Sequence, residues 1–199
     1  MLVGVPVVLI VVFAVRRAAI DVPNLASGAV PDSPTDVAFA SHPGLAYAHI
    51  IPSLGYLLGA PLQLSRRFRT TDYDRHRRLG RILIASAALG TVFSVIFGLG
   101  FAVGGGAEAA ASVIFGTYMI CCLAFAIRAI RRGDVAGHRR WMIRAFIITI
   151  AVGTVRLWVM VLWGSGLMSI EAAFGVGFWA AFLLHLVAAE AWQRRNPAP

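Results

Sequence analysis

Two histidines, each followed by two arginines, are the residues whose type and spacing best suit chemistry in this chain. His76 and His138 each stand at the start of a long apolar stretch. Neutral imidazole is a good iron ligand, and neighbouring arginines can pair with haem propionates. The pattern indicates a haem b site, or another metal site, with His76 and His138 as ligands. The alternative is that both runs are interfacial anchors that grip lipid phosphate, as basic residues at a membrane surface do whatever the function.

His49 is a further candidate, and it follows His42 by seven residues. Because seven residues are close to two helical turns, both rings lie on one face of a helix. Pro52 cannot donate to the carbonyl of Ala48, and it kinks the helix beside His49. Ionisable groups inside a span are functional by default, so these features predict a cofactor-binding site. The alternative is a hydrogen bond from His49 to a neighbouring helix that serves packing alone.

Arg156 is the only arginine well inside an apolar stretch. At a rise of about 1.5 Å per residue it lies about 20 Å from the start of that stretch, near the depth expected for His49. A cation at this depth is costly unless it meets a partner. Three partners are open: a haem propionate, a quinone carbonyl, or a carboxylate such as Glu171. Snorkelling of the guanidinium to the headgroups is the alternative.

Two ionisable residues, His185 and Glu190, lie in the last apolar stretch. Their spacing does not place them on one helix face. His185 could ligate haem or a metal by reaching toward His138, or it could donate a hydrogen bond that holds two helices together. Glu190 is expected to be balanced by Arg194, one turn further on.

The composition predicts that these residues are positioned by membrane-spanning helices. Hydrophobic residues make up 59% of the 199 residues and charged residues only 14%. A helix needs roughly 20 mostly apolar residues to cross a bilayer, and unpaired backbone groups are not tolerated in lipid. The expected fold is an all-α, polytopic membrane bundle of about six transmembrane helices. The arginines lie in short loops and not on one polar face, which favours the lipid bilayer as partner and excludes nucleic acid.

The apolar stretches divide the chain into segments. Pro23, Pro31 and Pro34 argue against a helix throughout the polar segment after the first stretch. The expected segments, by residue number, are an N-terminal transmembrane helix at 1–15, an extracytoplasmic loop at 16–41, a five-helix membrane domain at 42–192 that contains repeated hairpins at 45–103 and 109–163 and a final helix at 171–192, and a cytoplasmic tail at 193–199.

Arginine sets the expected orientation, because the chain contains no lysine. Fifteen of the eighteen arginines lie in the tail and in the two loops before the third and fifth stretches. Short cytoplasmic loops carry the positive charge of membrane proteins, so both termini are expected in the cytoplasm and the protein in the inner (cytoplasmic) membrane. Arg16 and Arg17 do not fit this orientation, because they follow the first stretch on the expected outer side. Either they snorkel to the outer headgroups or the true start of the protein lies upstream. A cleaved signal peptide is not favoured.

The two His-Arg-Arg runs belong to a direct repeat. The tripeptide Gly-Thr-Val follows each histidine at nearly the same spacing, at positions 90–92 and 153–155. Two hairpins that run in the same direction are related by an axis along the membrane normal. The repeat therefore predicts that His76 and His138 lie side by side at matching depth on the cytoplasmic face.

Several motifs between His42 and about Trp158 are typical of one family. They are His42, His49, the stretch from Gly55 to Pro61, His76-Arg77, Gly80-Arg81, His138-Arg139, Trp141-Met142, Arg144 and Arg156. In this order they resemble a family of predicted bacterial membrane proteins of unknown function. The resemblance implies a polytopic bundle and supplies no activity. More weakly, His-Arg near a helix start is similar to motifs of b-type cytochromes and haem A synthases, whose axial histidines lie deeper in the bilayer.

Together these features predict a redox-associated membrane protein that binds haem b or a quinone and passes electrons between a membrane carrier and a partner. His76 and His138 would ligate haem on the cytoplasmic side, and His49 and Arg156 would serve an outer site. The alternatives are a non-catalytic accessory or assembly subunit of a larger membrane (respiratory) complex, and a small transporter. The sequence contains no Walker loop, zinc-protease histidine pair or dinucleotide fingerprint that would indicate a known class of enzyme. Whether the protein is an enzyme stays open.

Overall fold

A computed structural model describes residues 4–28 and 34–196, and within these residues every regular element is an α-helix. The expected all-α fold is confirmed. The helices are α1 (Gly4–Ser27), α2 (Pro34–Ser41), α3 (Pro43–Leu64), α4 (Arg66–Thr71), α5 (Tyr73–Phe101), α6 (Gly105–Arg131), α7 (Val135–Gly164) and α8 (Ile170–Arg195).

Five of the described helices, α3, α5, α6, α7 and α8, are long and apolar enough to cross a membrane. The sequence predicts six, and the difference lies in α1. Any stretch of spanning length within α1 contains Arg16, Arg17 and Asp21. Each charge costs several kcal/mol at the centre of a bilayer, so α1 is not a simple apolar span.

Helix α1 also extends through part of the segment in which the sequence predicts a loop. It continues past Pro23 to Ser27, and Pro34 begins α2. A proline near a helix end removes one backbone hydrogen bond, and a proline at the first helical position removes none. Pro31 and the first three residues of the expected N-terminal helix lie outside the described residues.

A buried ion network fastens α1 to α2 and α3. The Nε of Arg17 donates to Asp21 at 2.9 Å, and the same guanidinium donates to Asp36 of α2. The hydroxyl of Tyr47 in α3 donates to Asp21 at 3.0 Å. Arg17 is 1% exposed. It does not snorkel, because two carboxylates neutralise its charge within the fold.

The spanning helices alternate in direction, and α7 lies at the centre of the bundle. It packs against α1, α3, α6 and α8, while α5 packs between α3 and α6. Aromatic rings fill the interior: those of Phe115 and Phe182 stack with their centroids 4.5 Å apart. Outward-facing residues such as Leu58, Leu89 and Val187 are apolar too, as contact with lipid tails allows.

The bundle has two unlike ends. The arginine-rich end carries α4, the starts of α5 and α7, and the ends of α3, α6 and α8. Asp72 and Asp134 cap α5 and α7 there, each accepting from the backbone N–H three residues further on, at 2.8 and 2.6 Å. Each aspartate stands four residues before a histidine, so His76 and His138 are both the fourth residue of a helix.

Candidate functional site

His49 of α3 is held by a neighbouring helix. Its Nδ1 lies 2.8 Å from the carbonyl oxygen of Gly90 in α5, and the hydroxyl of Ser53 lies 3.3 Å from the same nitrogen. A carbonyl oxygen only accepts hydrogen bonds, so Nδ1 carries the hydrogen. In the neutral ring Nε2 then keeps its lone pair and can accept a hydrogen bond or a proton.

A close approach of α3 and α5 makes this bond possible. Gly90 is buried, and a Cβ there would lie 2.4 Å from the hydroxyl oxygen of Ser53 and 3.4 Å from the carbonyl oxygen of His49. Any side chain at position 90 would push the helices apart. The bond to Gly90 is the packing contact considered as the alternative for His49, but it uses only one of the two ring nitrogens.

Arg156 of α7 lies in the half of the bundle opposite the arginine-rich end. Eight residues separate it from Gly164 at the helix end, a rise of about 12 Å. The guanidinium carbon lies 3.9 Å from the ring centroid of Phe13 in α1, a cation–π contact. Glu108 and His49 both lie within range of its charge. Within the described part of the chain, Arg156 donates no hydrogen bond.

The carboxylate whose charge acts on Arg156 is that of Glu108, in the first turn of α6. Glu108 is 9% exposed, and its Oε2 accepts from the backbone N–H of Gly104 at 2.6 Å. Glu171, the partner considered from the sequence, is exposed, and one of its oxygens lies 3.3 Å from the Cβ position of Gly105. The carboxylate within range of the Arg156 charge is therefore already engaged by the backbone, and Arg156 donates to no described residue.

We call these four side chains, His49, Arg156, Glu108 and Phe13, the His49–Arg156 site. The site contains one free acceptor, Nε2 of His49, and the free N–H donors of Arg156, among apolar residues. The two side chains are far apart in sequence, but His49 lies within range of the Arg156 charge. A ligand whose hydroxyl oxygen accepts from Arg156 and whose hydroxyl hydrogen is donated to His49 would satisfy both groups.

His76 and His138 lie close enough at the arginine-rich end for their charges to interact. Nδ1 of His138 donates to the carbonyl oxygen of Ala126 in α6 at 3.0 Å, which leaves Nε2 free, and histidines that bind metals are oriented in this way. Nδ1 of His76 is shielded from solvent and has no partner among the described residues. Across residues 4–28 and 34–196, no three His, Cys, Asp or Glu side chains are grouped for a metal ion.

The two remaining candidate histidines are engaged at separate places. His42 is exposed just before α3, and its ring centroid lies 4.1 Å from that of Phe101 at the end of α5. Nδ1 of His185 lies 2.8 Å from the carbonyl oxygen of Ala181 in its own helix, α8. The ring of His42 therefore packs against α5, whereas the bond of His185 stays within α8 and does not join two helices.

Sequence reasoning missed two polar residues, Glu108 and Gln63. Glu108 follows a run of glycines as an acid in the first turn of a helix, a position common to helix caps, so nothing marks it as a neighbour of Arg156. Gln63 ends an apolar stretch and shows no motif. One useful signal does lie in the sequence: an aspartate four residues before each of His76 and His138 marks the starts of α5 and α7.

The fold and the composition together define a multi-pass helical membrane protein. Residues 46–193, most of the chain, match the family model described as predicted membrane protein (DUF2306). The chain therefore belongs to this family, and the family resemblance is confirmed. Neither the curated proteins nor the solved structures contain a match. Helices α1 and α2, and Phe13 with them, precede the matched residues.

Proposed function

We propose that this membrane protein binds a quinol at the His49–Arg156 site and takes part in electron transfer. The observation that carries the proposal is the meeting of Arg156, a cation that makes no hydrogen bond to any described residue, with His49, whose Nε2 is free. A quinol combines an apolar body, which partitions into the bilayer, with hydroxyl groups that both donate and accept. The site is polar at one place within a largely apolar bundle, and this matches such a ligand.

A single quinol hydroxyl suits both side chains. Its oxygen would accept from the guanidinium of Arg156, and its hydrogen would be donated to Nε2 of His49. The bond from Nδ1 to Gly90 supports this assignment, because it selects the tautomer whose Nε2 has a lone pair. An oxidised quinone has no hydroxyl hydrogen to donate, so the site should bind the quinol more tightly than the quinone.

Proton transfer follows from the same geometry. When the hydroxyl proton moves to His49, the quinolate that remains would be stabilised by the positive charge of Arg156. Oxidation to the quinone would then be completed when the two electrons pass to a redox protein that carries haem or an iron–sulfur cluster and the second hydroxyl proton is released to water. An arginine at the centre of a membrane helix costs about 2.5–3.5 kcal/mol. An accessory subunit or an assembly factor would not need Arg156, which has no hydrogen-bond acceptor, at this depth.

The test is an anaerobic titration of the purified full-length protein in detergent with a short-chain quinol and with its oxidised form. Quenching of tryptophan fluorescence reports binding. We expect the quinol to bind more tightly, and His49→Phe and Arg156→Met each to weaken it by about tenfold or more, since each removes a charge-assisted or buried hydrogen bond. Arg194→Met, at the arginine-rich end, is the matched control and should bind as the parent protein does.

Thermal unfolding of each variant distinguishes a loss of binding from a loss of folding. Arg156→Met removes a cation that has no hydrogen-bond acceptor, but it also removes the cation–π contact with Phe13 and the charge that acts on Glu108, so we expect its thermal midpoint to stay within a few degrees of that of the parent protein. Equal affinity for both redox forms, or no effect of either substitution on binding, would contradict the proposal. Stoichiometric partner subunits in a preparation that binds no quinol would favour an accessory role instead.

A further inference from the structure

A second group of buried polar atoms lies at the arginine-rich end, away from the quinol site. Both amide atoms of Gln63, at the end of α3, and Nδ1 of His76, at the start of α5, are shielded from solvent. None of these three atoms has a hydrogen-bond partner in the described residues. A buried polar group left unpaired destabilises a fold, so unpaired atoms that lie together point to a bound ligand.

Gly80 brings Gln63 and His76 to the same place. A Cβ at position 80 would lie 3.5 Å from Oε1 of Gln63, so the amide lies directly against α5 at this residue. His76 precedes Gly80 by one helical turn and lies on the same face of α5. The unpaired groups of α3 and α5 therefore belong to one location.

A cation from the connecting helix α4 completes the group. Arg69 donates to the carbonyl oxygen of Leu64 at 3.3 Å, which holds its guanidinium against the end of α3, and its charge interacts with His76. The rings of Phe68 and Tyr73 lie beside His76, with centroids 6.5 and 6.2 Å from that of its ring. We call Gln63, Arg69 and His76 the loop-end cluster.

The surroundings of the loop-end cluster are positively charged, which favours an anionic ligand. Seven arginines lie between Arg66, the first residue of α4, and Arg81, in the third turn of α5, against the two acids Asp72 and Asp74. Asp72 is already used, since it caps α5 and lies 3.3 Å from Arg75. A surface pocket of about 300 Å³ lies on the first turns of the same helix, and its lining residues are Asp74, Arg77, Arg78 and Arg81.

We propose that the loop-end cluster binds a phosphate group that lies next to a hydroxyl, as in a glycerol phosphate. Arg69, the amide N–H groups of Gln63 and a ring N–H of His76 would donate to the phosphate oxygens, while Oε1 of Gln63 would accept from the hydroxyl. The same chemistry occurs in the headgroup of phosphatidylglycerol and in soluble glycerol phosphate. The loop-end cluster shares no residue with the His49–Arg156 site.

The experiment measures the thermal midpoint of the full-length protein with two ligands. One arm adds glycerol 3-phosphate to the protein in uncharged detergent, against sodium chloride at equal ionic strength. The other compares nanodiscs of phosphatidylcholine with nanodiscs that also contain phosphatidylglycerol. We expect the midpoint to rise by a few degrees in at least one arm. A rise with the lipid alone assigns the site to the bilayer, and a rise with the soluble ligand assigns it to a free phosphate ester.

Gln63→Leu separates ligand binding from folding. Without ligand, its midpoint should equal or exceed that of the parent protein, because an unpaired buried amide is lost. With ligand, the rise should be absent. Gln193→Leu is the matched control, since the Gln193 amide in α8 is also buried and unpaired, and it should keep the rise. Arg156→Met should keep it too, which makes the result independent of quinol binding.

Three outcomes would overturn the proposal. The first is no rise in either arm. The second is a rise that persists in Gln63→Leu, because it would then come from diffuse attraction to the surface arginines. The third is a Soret band in the purified protein that disappears in His76→Ala, because haem b held by His76 and His138 would then occupy this end.

Discussion

The Arg144–Glu190 pair joins α7 to α8 through two hydrogen bonds. Nε and Nη2 of Arg144 donate to the two carboxylate oxygens at 2.5 and 2.8 Å. The side chains are 18% and 36% exposed, so solvent screens the pair only in part. The ring of Trp141 lies 4.6 Å from the guanidinium carbon and shields it further. Removal of one partner therefore leaves a partly buried charge without its counter-ion.

We expect Glu190→Gln to lower the free energy of unfolding by about 1–2 kcal/mol, because Arg144 loses its counter-ion. Replacement of both partners, Arg144→Met with Glu190→Leu, should recover most of that loss. Thermal unfolding in one detergent measures both changes. Glu171→Gln, at an exposed carboxylate, is the matched control and should shift stability by less than about 0.5 kcal/mol. Equal midpoints for the Glu190 and Glu171 variants would show that the pair does not hold α7 to α8.

Glycines set how closely the helices approach. At Gly153 in α7 a Cβ would lie 2.5 Å from the backbone carbonyl oxygen of Pro6 in α1, whereas at Gly100 in α5 nothing lies within 4 Å. The two Gly-Thr-Val tripeptides face different helices, because Gly90 meets α3 and Gly153 meets α1. The likeness of the two runs in sequence does not extend to the contacts of their glycines.

We expect Gly153→Ala to lower the free energy of unfolding by about 1–3 kcal/mol, since the added methyl group meets backbone that cannot rotate away. Gly100→Ala is the control, and its helix propensity should leave stability unchanged or raise it by up to about 1 kcal/mol. Thermal unfolding reports the difference. If both variants were equally stable, α1 would not pack on α7 as described.

Gly90 links the packing of α3 and α5 to the His49–Arg156 site. We expect Gly90→Ala to weaken quinol binding several-fold, because α3 moves away and Nδ1 of His49 loses the carbonyl that selects its tautomer. The fluorescence titration used for His49→Phe measures the effect, and Gly100→Ala again serves as the control. Unchanged affinity in Gly90→Ala would mean that the His49 bond to α5 is not needed for binding.

At the scale of the whole molecule, both His-Arg-Arg loops emerge at one end of the bundle. His76 and His138 interact in charge there, and Asp72 and Asp134 cap matching helix starts. This placement agrees with the prediction that the two turns lie side by side. The side of the membrane that this end faces stays a prediction from the arginine content of the loops.

Cysteine labelling of intact cells tests the arrangement. In a background with Cys121→Ser and Cys122→Ala, we expect Thr70→Cys and Arg132→Cys to be protected from an impermeant maleimide. Ser165→Cys, at the opposite end of the bundle, should be labelled. Thr70, Arg132 and Ser165 are exposed in the fold, so protection would reflect sidedness and not burial. Labelling of only one of the two loop positions would rule out a common end.

The sequence by itself determined the class of protein and its all-α fold. Apolar runs and arginine-rich loops act locally, because the transfer of each residue into lipid does not depend on a distant partner. The helices α6 and α7 lie in the region of the expected hairpin at 109–163, and the repeat itself stays a prediction. The sequence also marked His49 and Arg156, since an ionisable group in an apolar run stands out without knowledge of the fold.

Only the tertiary structure decided which polar groups meet. The sequence indicated Arg194 for Glu190, and the charge of Arg194 does act on Glu190, but the side chain that donates to Glu190 is Arg144 of α7. For Arg156 the sequence left a haem propionate, a quinone carbonyl or a carboxylate such as Glu171 open, and the fold places Glu108 within range of its charge. Arg144 and Glu108 lie on other helices than Glu190 and Arg156, so these interactions depend on the rotation and spacing of packed helices, which glycines such as Gly90 control. Helical periodicity determines the face on which a residue lies, but not the helix that this face meets.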